Sequence, residues 1–391
     1  MARIGIYGGA FNPPHTGHIR AAEYAVQALN LDKLLLIPSC TSPHKPLPPG
    51  SAEPEQRLAM TRLWAGDKME VCDIELSRGG TSYTYQTVEQ LKTQYPQDEL
   101  VLFMGTDMFL SFHNWKEPER ILRCVSLAVF YRGEKGEIDA IAKLQKEYED
   151  AGHRVYLVEN PITEISSTQL RRMLVFQCAA PFLDEKVLSY IEANGLYGTT
   201  ENYRNLPMEK LEQVVIDLLN PNRVKHVLGC RDTAAAMART WGVDETDAAR
   251  AGLLHDITKA LDGPLQLTLC REYGKVLDEF SENNPKTLHA LTGSLVAERI
   301  FGENEAVVQA IESHTTGKPA MNTLEKIIYV ADYMEPNRDF PGVEELRRLA
   351  YTDLDGALQL GLEMTLAMLK EQKRQISPAS SQALEYLMKG K

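Results

Sequence analysis

The stretch that decides the fold of the first half is Gly8-Gly9-Ala10-Phe11-Asn12-Pro13-Pro14-His15-Thr16-Gly17-His18, which follows an apolar segment. It predicts a short strand, a glycine-rich turn and a helix that opens with two histidines. Glycine lets the backbone approach a ligand, and a helix N-terminus favours phosphate. His15 and His18 lie three residues apart, so both face the same side of the first turn. The stretch indicates a nucleotide site, although a glycine pair alone is equally compatible with packing.

The composition bounds the kind of protein. A chain of 391 residues is long for one core, so two domains are expected. The net charge of −12 argues against broad binding to nucleic acid or anionic membranes. We expect neither a membrane span nor a signal peptide, because no apolar run is long enough and the N-terminus enters a strand-like segment directly. The six cysteines form no Cys-x-x-Cys pair, which favours reduced thiols and a cytoplasmic location.

The pattern along the chain predicts an α/β domain followed by an all-α domain. Short apolar runs that alternate with helical patterns are typical of a doubly wound, Rossmann-like parallel sheet, with ligands at the carboxyl ends of the strands. The predicted strands cover residues 3–7, 33–38, 100–104, 127–131 and 154–158. Helical periodicity dominates the second half. We place the domains at residues 1–198 and 203–391, and we expect a loosely held tail from about Ser377.

Three further features of the first half indicate a nucleotide site. Asp107 follows a predicted strand and could bind ribose hydroxyls or a metal, or equally cap the next helix. Trp115 either fills the core or stacks on a flat ring. Ser166-Ser167-Thr168 is typical of a helix N-cap, but capping does not explain Arg171 in the first turn, where the helix dipole disfavours cations. An anion near that helix would explain the arginine.

These motifs resemble the nucleotidyltransferases with a His-x-Gly-His signature, and among them the bacterial nicotinate-nucleotide adenylyltransferases. The resemblance covers residues 1–198 and includes Pro43-His44-Lys45, Thr81-Ser82-Tyr83-Thr84 and Met104-Gly105-Thr106-Asp107. It implies adenylyl transfer from ATP to nicotinate mononucleotide, with Mg²⁺ arriving on ATP. His15, His18 and Arg171 would then be catalytic. The residues that would bind the two substrates are Gly8, Gly9, Phe11, Lys45, Thr84, Asp107, Trp115, Ser167 and Thr168.

The histidines of the second half form a separate set. After residue 203 there are only four, each in or beside a helical pattern, and two of the aspartates lie in apolar segments. Any one of these histidines is more simply a core or surface residue. An unpaired carboxylate on an apolar helix is costly, however, and a metal ion removes that cost. The whole set therefore indicates metal coordination. It comprises His226, His255, Asp256, His289, His314 and Asp332.

This series resembles the HD-domain metal phosphohydrolases, and among them the symmetrical diadenosine tetraphosphate hydrolases. The resemblance spans about residues 206–375 and implies cleavage of the tetraphosphate to two ADP. It assigns His226, His255, Asp256 and Asp332 to one metal ion and His289 and His314 to a second, with Asp256 bridging. The family suggests iron, and manganese and zinc also suit these ligands.

Some alternatives remain open for the second half. Lys259 lies one helical turn beyond His255 and could neutralise the leaving phosphate, or it could be a solvated surface lysine. The domain could instead be a 5′-nucleotidase or another HD phosphohydrolase, or a nucleotide sensor without turnover. A complete ligand set speaks against the sensor.

Overall fold

The computed structural model describes residues 1–43, 46–131, 135–159 and 165–389, without the side chain of Lys135. The chain forms two compact units, Met1–Glu201 and Asn202–Lys391. The functional boundaries at residues 198 and 203 remain a prediction. None of the helices in the described part of the chain has the length and hydropathy that a bilayer crossing requires.

The first unit contains a parallel sheet of six described strands. Their order is β3-β2-β1-β4-β5-β6, so successive strands are added on one side of β1 up to β3 and on its other side from β4 onward. In a doubly wound sheet of this order, ligands bind at the carboxyl ends of the strands where the order reverses. The strands are β1 (Arg3–Gly9), β2 (Lys33–Pro38), β3 (Met69–Val71), β4 (Glu99–Gly105), β5 (Ser126–Tyr131) and β6 (Val155–Glu159).

Apolar side chains explain why these segments become central strands. In β2 the run Leu34–Ile37 is completely buried, as expected where helices cover both faces of a sheet. Ile4 of β1 pairs in register with Lys33 of β2 and with Leu100 of β4. The helices of this unit are α1 (Thr16–Ala28), α2 (Pro54–Trp64), α3 (Ile74–Arg78), α4 (Thr84–Gln94), α5 (Thr106–Leu110), α6 (Pro118–Leu122), α7 (Lys135–Asp150), α8 (Ser167–Val175) and α9 (Glu185–Ala193).

The second unit contains helices and turns, with no strand among its described residues. The predicted α/β-then-α fold class is therefore confirmed. A short π-helical segment, Ala297–Phe301, continues α15. The helices are α10 (Met208–Leu218), α11 (Val224–Trp241), α12 (Glu245–Leu254), α13 (Gly263–Glu272), α14 (Glu279–Asn283), α15 (His289–Val296), α16 (Glu305–Ser313), α17 (Thr323–Met334), α18 (Val343–Leu349), α19 (Leu354–Glu371) and α20 (Pro378–Lys389).

The structure corrects two expectations from the sequence. The segment from Ser377 is not a loose tail, because Pro378–Lys389 forms α20 and packs against α19. Ser380 and Ala383 are buried in that contact. Strand β3 was not predicted, since it has only three residues and carries a glutamate at its centre.

A glycine sets the closest approach of the helices that carry the first two histidines of the second unit. A Cβ atom at Gly252 in α12 would lie 2.9 Å from the Cα of Arg231 and 3.1 Å from the carbonyl oxygen of Cys230, both in the backbone of α11. Backbone atoms cannot turn away as a side chain can. The two helices therefore pack this closely only because residue 252 has no side chain.

We expect Gly252→Ala to lower the free energy of unfolding by about 1–3 kcal/mol, because overpacking outweighs alanine's better helix propensity. Gly361→Ala in α19 is the matched control, since its Cβ would meet the side chain of Tyr329 at 3.2 Å, which can shift. Chemical denaturation of the full chain measures both. Equal stability of Gly252→Ala and the unsubstituted chain would contradict this view of the contact.

Candidate functional site

A cavity of about 790 Å³ lies at the carboxyl ends of the strands of the first unit. A second cavity, of about 680 Å³, shares Gly8, Asp107 and Trp115 with it. The two cavities beside β1 and β4 therefore coincide with the nucleotide site that the sequence predicts. The predicted residues that line the larger cavity are Gly8, Gly9, Thr84, Asp107, Trp115, Ser167, Thr168 and Arg171.

Three predicted residues are placed differently. The described lining of the two cavities does not include Phe11, His15 or His18. Phe11 is buried, and its ring lies 3.4 Å from the Cβ position of Gly9 and packs on the ring of His18. Lys45 lies outside the described residues, so its predicted role stays a prediction.

His15 and His18 form a close pair at the start of α1. Their ring centroids are 3.7 Å apart. Burial lowers the pKa of His15 to about 4, and burial together with the neighbouring His15 holds the pKa of His18 well below its usual value. The Nδ1 atom of His18 accepts a hydrogen bond of 3.2 Å from the backbone N–H of His15. A neutral His18 therefore carries its proton on Nε2, which makes that atom a hydrogen-bond donor.

Arg171 joins α8 to the loop that follows β1. Its Nη1 donates to the carbonyl oxygen of Asn12 at 2.8 Å, and its Nη2 donates to the hydroxyl of Thr168 at 3.2 Å. The Oδ1 atom of the buried Asn12 in turn accepts from the hydroxyl of Tyr197 at 2.8 Å. Among the described residues, no carboxylate forms an ion pair with Arg171. This guanidinium in the cavity wall is thus suited to an anionic ligand.

Asp107 and Trp115 both face the two cavities. Gly105 occupies the N-cap position of α5, and Asp107 is the second helical residue. Asp107 is therefore not the N-cap residue, which was one of the two roles that the sequence allowed. Trp115 packs on Phe112 with ring centroids 5.3 Å apart while it lines the cavity. The tryptophan thus serves the core and also offers a surface to a ligand.

No motif in the sequence indicates the role of Arg57. This residue is completely buried and donates to the carbonyl oxygens of Ala10 at 2.7 Å, Cys40 at 2.9 Å and Ala52 at 3.2 Å. It thereby ties the glycine-rich loop to the segment after β2. A buried arginine within a helix has no motif of its own, which is why pattern reasoning overlooked it.

The second unit brings all six predicted ligands together. His226 Nε2 lies 3.1 Å from Asp332 Oδ1 and 3.3 Å from His255 Nε2. The two oxygens of Asp256 face different histidines: Oδ2 lies 3.5 Å from His255 Nε2, and Oδ1 lies 3.5 Å from His289 Nε2. His314 Nε2 is 3.9 Å from the same Oδ1. Asp256 therefore stands in a bridging position.

Two triplets in this cluster have ligand atoms within 4.8 Å of one another: His226 with His255 and Asp332, and His255 with Asp256 and His314. The sequence assigned His255 to the first group only. Burial lowers the pKa of His255, and it lowers that of His314 to about 3. Burial alone would raise the pKa of Asp332, but the neighbouring imidazoles of His226 and His255 hold it well below its usual range. Deprotonated ligands of this kind fit a divalent metal.

Three cationic side chains approach the cluster. Arg223 donates to Asp256 Oδ2, and Arg338 Nη2 donates to Asp332 Oδ1 at 2.9 Å. Lys259 Nζ lies 2.8 Å from His289 Nε2, so its amine faces the cluster although much of the residue is exposed, and desolvation of the amine lowers its pKa to about 8. The sequence missed both arginines, although each lies within a few residues of a predicted ligand.

A cavity of about 710 Å³ opens beside the predicted metal ligands of the second unit. One part of its wall is polar and includes Lys259, Asp332 and Arg338. Another part is aromatic, with the rings of Tyr333 and Phe340 at 5.4 Å and nearly perpendicular. The cavity therefore offers charge and an apolar surface side by side.

The strand order and the histidine-opened helix define the first unit as a nucleotidyltransferase fold, and the histidine–aspartate cluster defines the second as an HD-domain metal centre. Residues 6–173 match the cytidylyltransferase-like family, and residues 223–337 match the HD domain family. By its two halves the chain belongs to the nicotinate-nucleotide adenylyltransferase family and to the symmetrical bis(5′-nucleosyl)-tetraphosphatase family.

Individual relatives match one half each. A probable nicotinate-nucleotide adenylyltransferase of Desulfatibacillum aliphaticivorans is 36% identical over 217 residues, which is 50% of this chain and 99% of the relative. A symmetrical bis(5′-nucleosyl)-tetraphosphatase of Halalkalibacterium halodurans is 41% identical over 170 residues, which is 43% of this chain and 90% of the relative. A crystal structure of an HD superfamily hydrolase from Clostridium acetobutylicum is 37% identical, with a TM-score of 0.47, and covers 48% of this chain and 99% of that one.

The lowered pKa of His15 predicts a pH dependence of stability. The folded His15 binds a proton only near pH 4, whereas the unfolded side chain binds one near pH 6.5. Between these values the unfolded state holds more protons, so stability falls as the pH falls, by up to about 1.4 kcal/mol per pH unit. We expect His15→Asn to flatten this decline in chemical denaturation of the full chain between pH 7 and pH 4.5.

The exposed His113 provides the control, because His113→Asn removes a histidine that folding does not bury. It should leave the pH profile of the unsubstituted chain unchanged. Parallel profiles for His15→Asn and His113→Asn would show that burial of His15 contributes nothing to the acid sensitivity.

Proposed function

We propose that this chain is a bifunctional nucleotide enzyme. The first unit transfers the adenylyl group of ATP to nicotinate mononucleotide and releases pyrophosphate. The second unit hydrolyses diadenosine tetraphosphate to two ADP. The observation that carries the proposal is that one chain holds two built sites. The first is a cavity beside β1 and β4 whose Arg171 has no carboxylate partner among the described residues, and the second is a buried cluster of six side chains that can ligate metal ions.

In the first reaction, a phosphate oxygen of nicotinate mononucleotide attacks the α-phosphorus of ATP. The new P–O bond forms as the bond to the β-phosphate oxygen breaks, and pyrophosphate leaves with its electron pair. No covalent enzyme intermediate is needed, so the protein contributes position and charge. His18 would donate from Nε2 to a phosphate oxygen, with His15 beside it, and Arg171 would hold the phosphate chain. Mg²⁺ would arrive on ATP and keep most of its waters.

The remaining predicted residues would place the two substrates. Gly8 has open space where a side chain would stand, so a phosphate can approach its backbone. Ser167 and Thr168 would add hydroxyls at the start of α8. Asp107 would accept from ribose hydroxyls, while Trp115 and Thr84 would contact the pyridine ring. We also propose that the first unit prefers nicotinate mononucleotide to nicotinamide mononucleotide. This preference is inferred from the family resemblance alone.

The ligand cluster of the second unit fits two divalent metal ions. Four imidazole nitrogens and the carboxylates of Asp256 and Asp332 are donor groups that suit iron, manganese or zinc, and we propose iron. When bound, such ions supply a nucleophile at neutral pH and neutralise phosphate charge. Asp256 would bridge them through its two oxygens.

Around this centre the chain's own residues would bind the polyphosphate. Arg338 and Lys259 line the 710 Å³ cavity, and Arg223 stands against the bridging carboxylate. These cations would hold the negative oxygens and stabilise the departing ADP. Water adds to a central phosphorus, the bond between the two middle phosphates breaks, and the leaving oxygen is protonated. Tyr333 and Phe340 offer an apolar surface on which an adenine could stack.

Two other assignments of the second unit remain testable. It could act on other nucleotides, or it could bind nucleotides without hydrolysis. The complete ligand set and the cationic side chains favour turnover over sensing. We also expect a reducing, cytoplasmic setting, since the six cysteines are present as thiols rather than disulfides, and small-molecule nucleotides rather than nucleic acid as substrates.

A pair of substitutions in the full chain tests the two activities against each other. His18→Ala should reduce dinucleotide formation about 100- to 1000-fold, because it removes a donor to the transferring phosphate, and leave tetraphosphate hydrolysis unchanged. Asp256→Ala should abolish hydrolysis and leave the transfer reaction intact. Chromatography of the products of each purified variant with ATP plus nicotinate mononucleotide, and with diadenosine tetraphosphate plus Fe²⁺, Mn²⁺ or Zn²⁺, measures both.

Each variant is the folding control of the other. Loss of both activities from either substitution in a folded protein would refute two independent sites. If the unsubstituted chain bound diadenosine tetraphosphate with every metal but released no ADP, the sensor would replace the hydrolase.

A further inference from the structure

The four histidines of the metal centre are oriented by hydrogen bonds at Nδ1. Three of them contact backbone carbonyl oxygens: His255 contacts Gly252 at 2.7 Å, His289 contacts Lys286 at 2.9 Å and His314 contacts Ile311 at 2.6 Å. The fourth, His226, differs. Its Nδ1 lies 3.1 Å from the carboxylate oxygen Oε1 of Glu335.

Glu335 is a buried acid outside the set of predicted ligands. Only 1% of its surface is exposed. Its second oxygen, Oε2, accepts from the backbone N–H of Asn337 at 2.8 Å and from the side-chain amide of Asn337 at 2.7 Å. That amide also donates to the carbonyl oxygen of Lys225 at 3.1 Å. Both oxygens of Glu335 are thus held as acceptors in a fixed orientation.

The backbone of α11 leaves room for this carboxylate. A Cβ atom at Gly229 would lie 2.4 Å from Glu335 Oε2 and 3.0 Å from the amide nitrogen of Asn337. Gly229 lies one helical turn beyond His226 on the same face of the helix. The carboxylate therefore occupies a space that exists because residue 229 has no side chain.

We propose that Glu335 is a positioning residue for the metal centre, which sets the tautomer and the ring orientation of His226. This inference rests on the proposed function, in which His226 is a metal ligand. Because Nδ1–H donates to Oε1, the lone pair of His226 lies on Nε2, which is 3.1 Å from Asp332 Oδ1 inside the cluster. A carboxylate behind a ligating histidine also makes the imidazole a stronger donor.

An amide cannot replace the carboxylate here. In Glu335→Gln, an amide oxygen that faces His226 leaves the NH₂ group against the two N–H donors of Asn337. In the reverse orientation the NH₂ group faces Nδ1 and favours the proton on Nε2, where it blocks metal binding. Either arrangement breaks a hydrogen bond that the carboxylate makes.

Titration of the metal-stripped full chain with Co²⁺, followed by visible absorption, tests the inference. We expect Glu335→Gln to bind Co²⁺ about 10- to 100-fold more weakly than the unsubstituted chain, with altered absorption bands at saturation. Glu325→Gln is the matched control, because Glu325 is also 1% exposed and lies in α17, where it accepts from the backbone of Asn322 at 2.8 Å. It replaces a buried carboxylate near the opposite end of α17 from Glu335, which is the C-cap residue of that helix, and should leave Co²⁺ affinity unchanged.

Gly229→Ala provides a second variant if Glu335→Gln does not fold, which circular dichroism reveals. It keeps the carboxylate but displaces it, so Co²⁺ affinity should again fall. Unchanged affinity and spectrum in the folded variant would overturn the role of Glu335 and leave the proposed hydrolase standing. Equal weakening by Glu325→Gln would also overturn it, as a general effect of destabilisation. Absence of Co²⁺ binding by the unsubstituted chain would instead refute the metal centre, and the inference with it.

Discussion

Burial of the Asp256 carboxylate is the constraint on which the second unit depends. Only 1% of this residue is exposed, and an isolated charge at such depth is strongly unfavourable. Its neighbours are Arg223 and the histidine rings, which arrive from separate helices. Two features of the fold bring the histidine rings and Arg223 to this one carboxylate. One is the close contact of α11 with α12 at Gly252, and the other is the pair of turns that begin α15 and end α16.

Helix ends make this convergence possible. His255 and His314 occupy the C-cap positions of α12 and α16, where backbone carbonyls lack partners within the helix. Each imidazole satisfies one of those carbonyls through Nδ1 and presents Nε2 to the centre. His226 lies instead in the first turn of α11, and its Nδ1 contacts the side-chain carboxylate of Glu335 rather than a backbone carbonyl.

In the first unit the buried charged group is a cation, the guanidinium of Arg57, and not a carboxylate. Arg57 is completely buried, and three backbone carbonyls accept its hydrogen bonds. Those carbonyls belong to the loop after β1 and to the segment between β2 and α2. The arginine therefore fixes the loop that carries the glycines and leads to His15. Arg171 fixes the same loop from the other side, through Asn12.

The sequence predicted the elements of the fold that a local pattern of apolar and polar residues encodes. Apolar runs located the five longer strands, because strands covered on both faces are almost wholly apolar, whereas Met69–Val71 was too short and too polar to detect. The all-helical second unit followed from periodicity. The six metal-site residues came from the family's motifs, and only the structure shows their distances. Arg57, Arg223 and Glu335 escaped because their contacts join residues that are distant in the chain, and no local pattern records such contacts.

The histidines of the two sites differ in whether Nε2 carries the ring proton or the lone pair. The hydrogen-bond partner of Nδ1 determines which of the two it carries. In the first unit a backbone N–H donates to Nδ1 of His18, so the proton of the neutral ring lies on Nε2, which can donate a hydrogen bond. In the second unit Nδ1 donates to a carbonyl or a carboxylate, so the lone pair of the ring lies on Nε2. Burial keeps the rings neutral in both places, as the lowered pKa values of His15 and His314 indicate. The chemistry of each histidine therefore follows from one hydrogen bond on the far side of its ring.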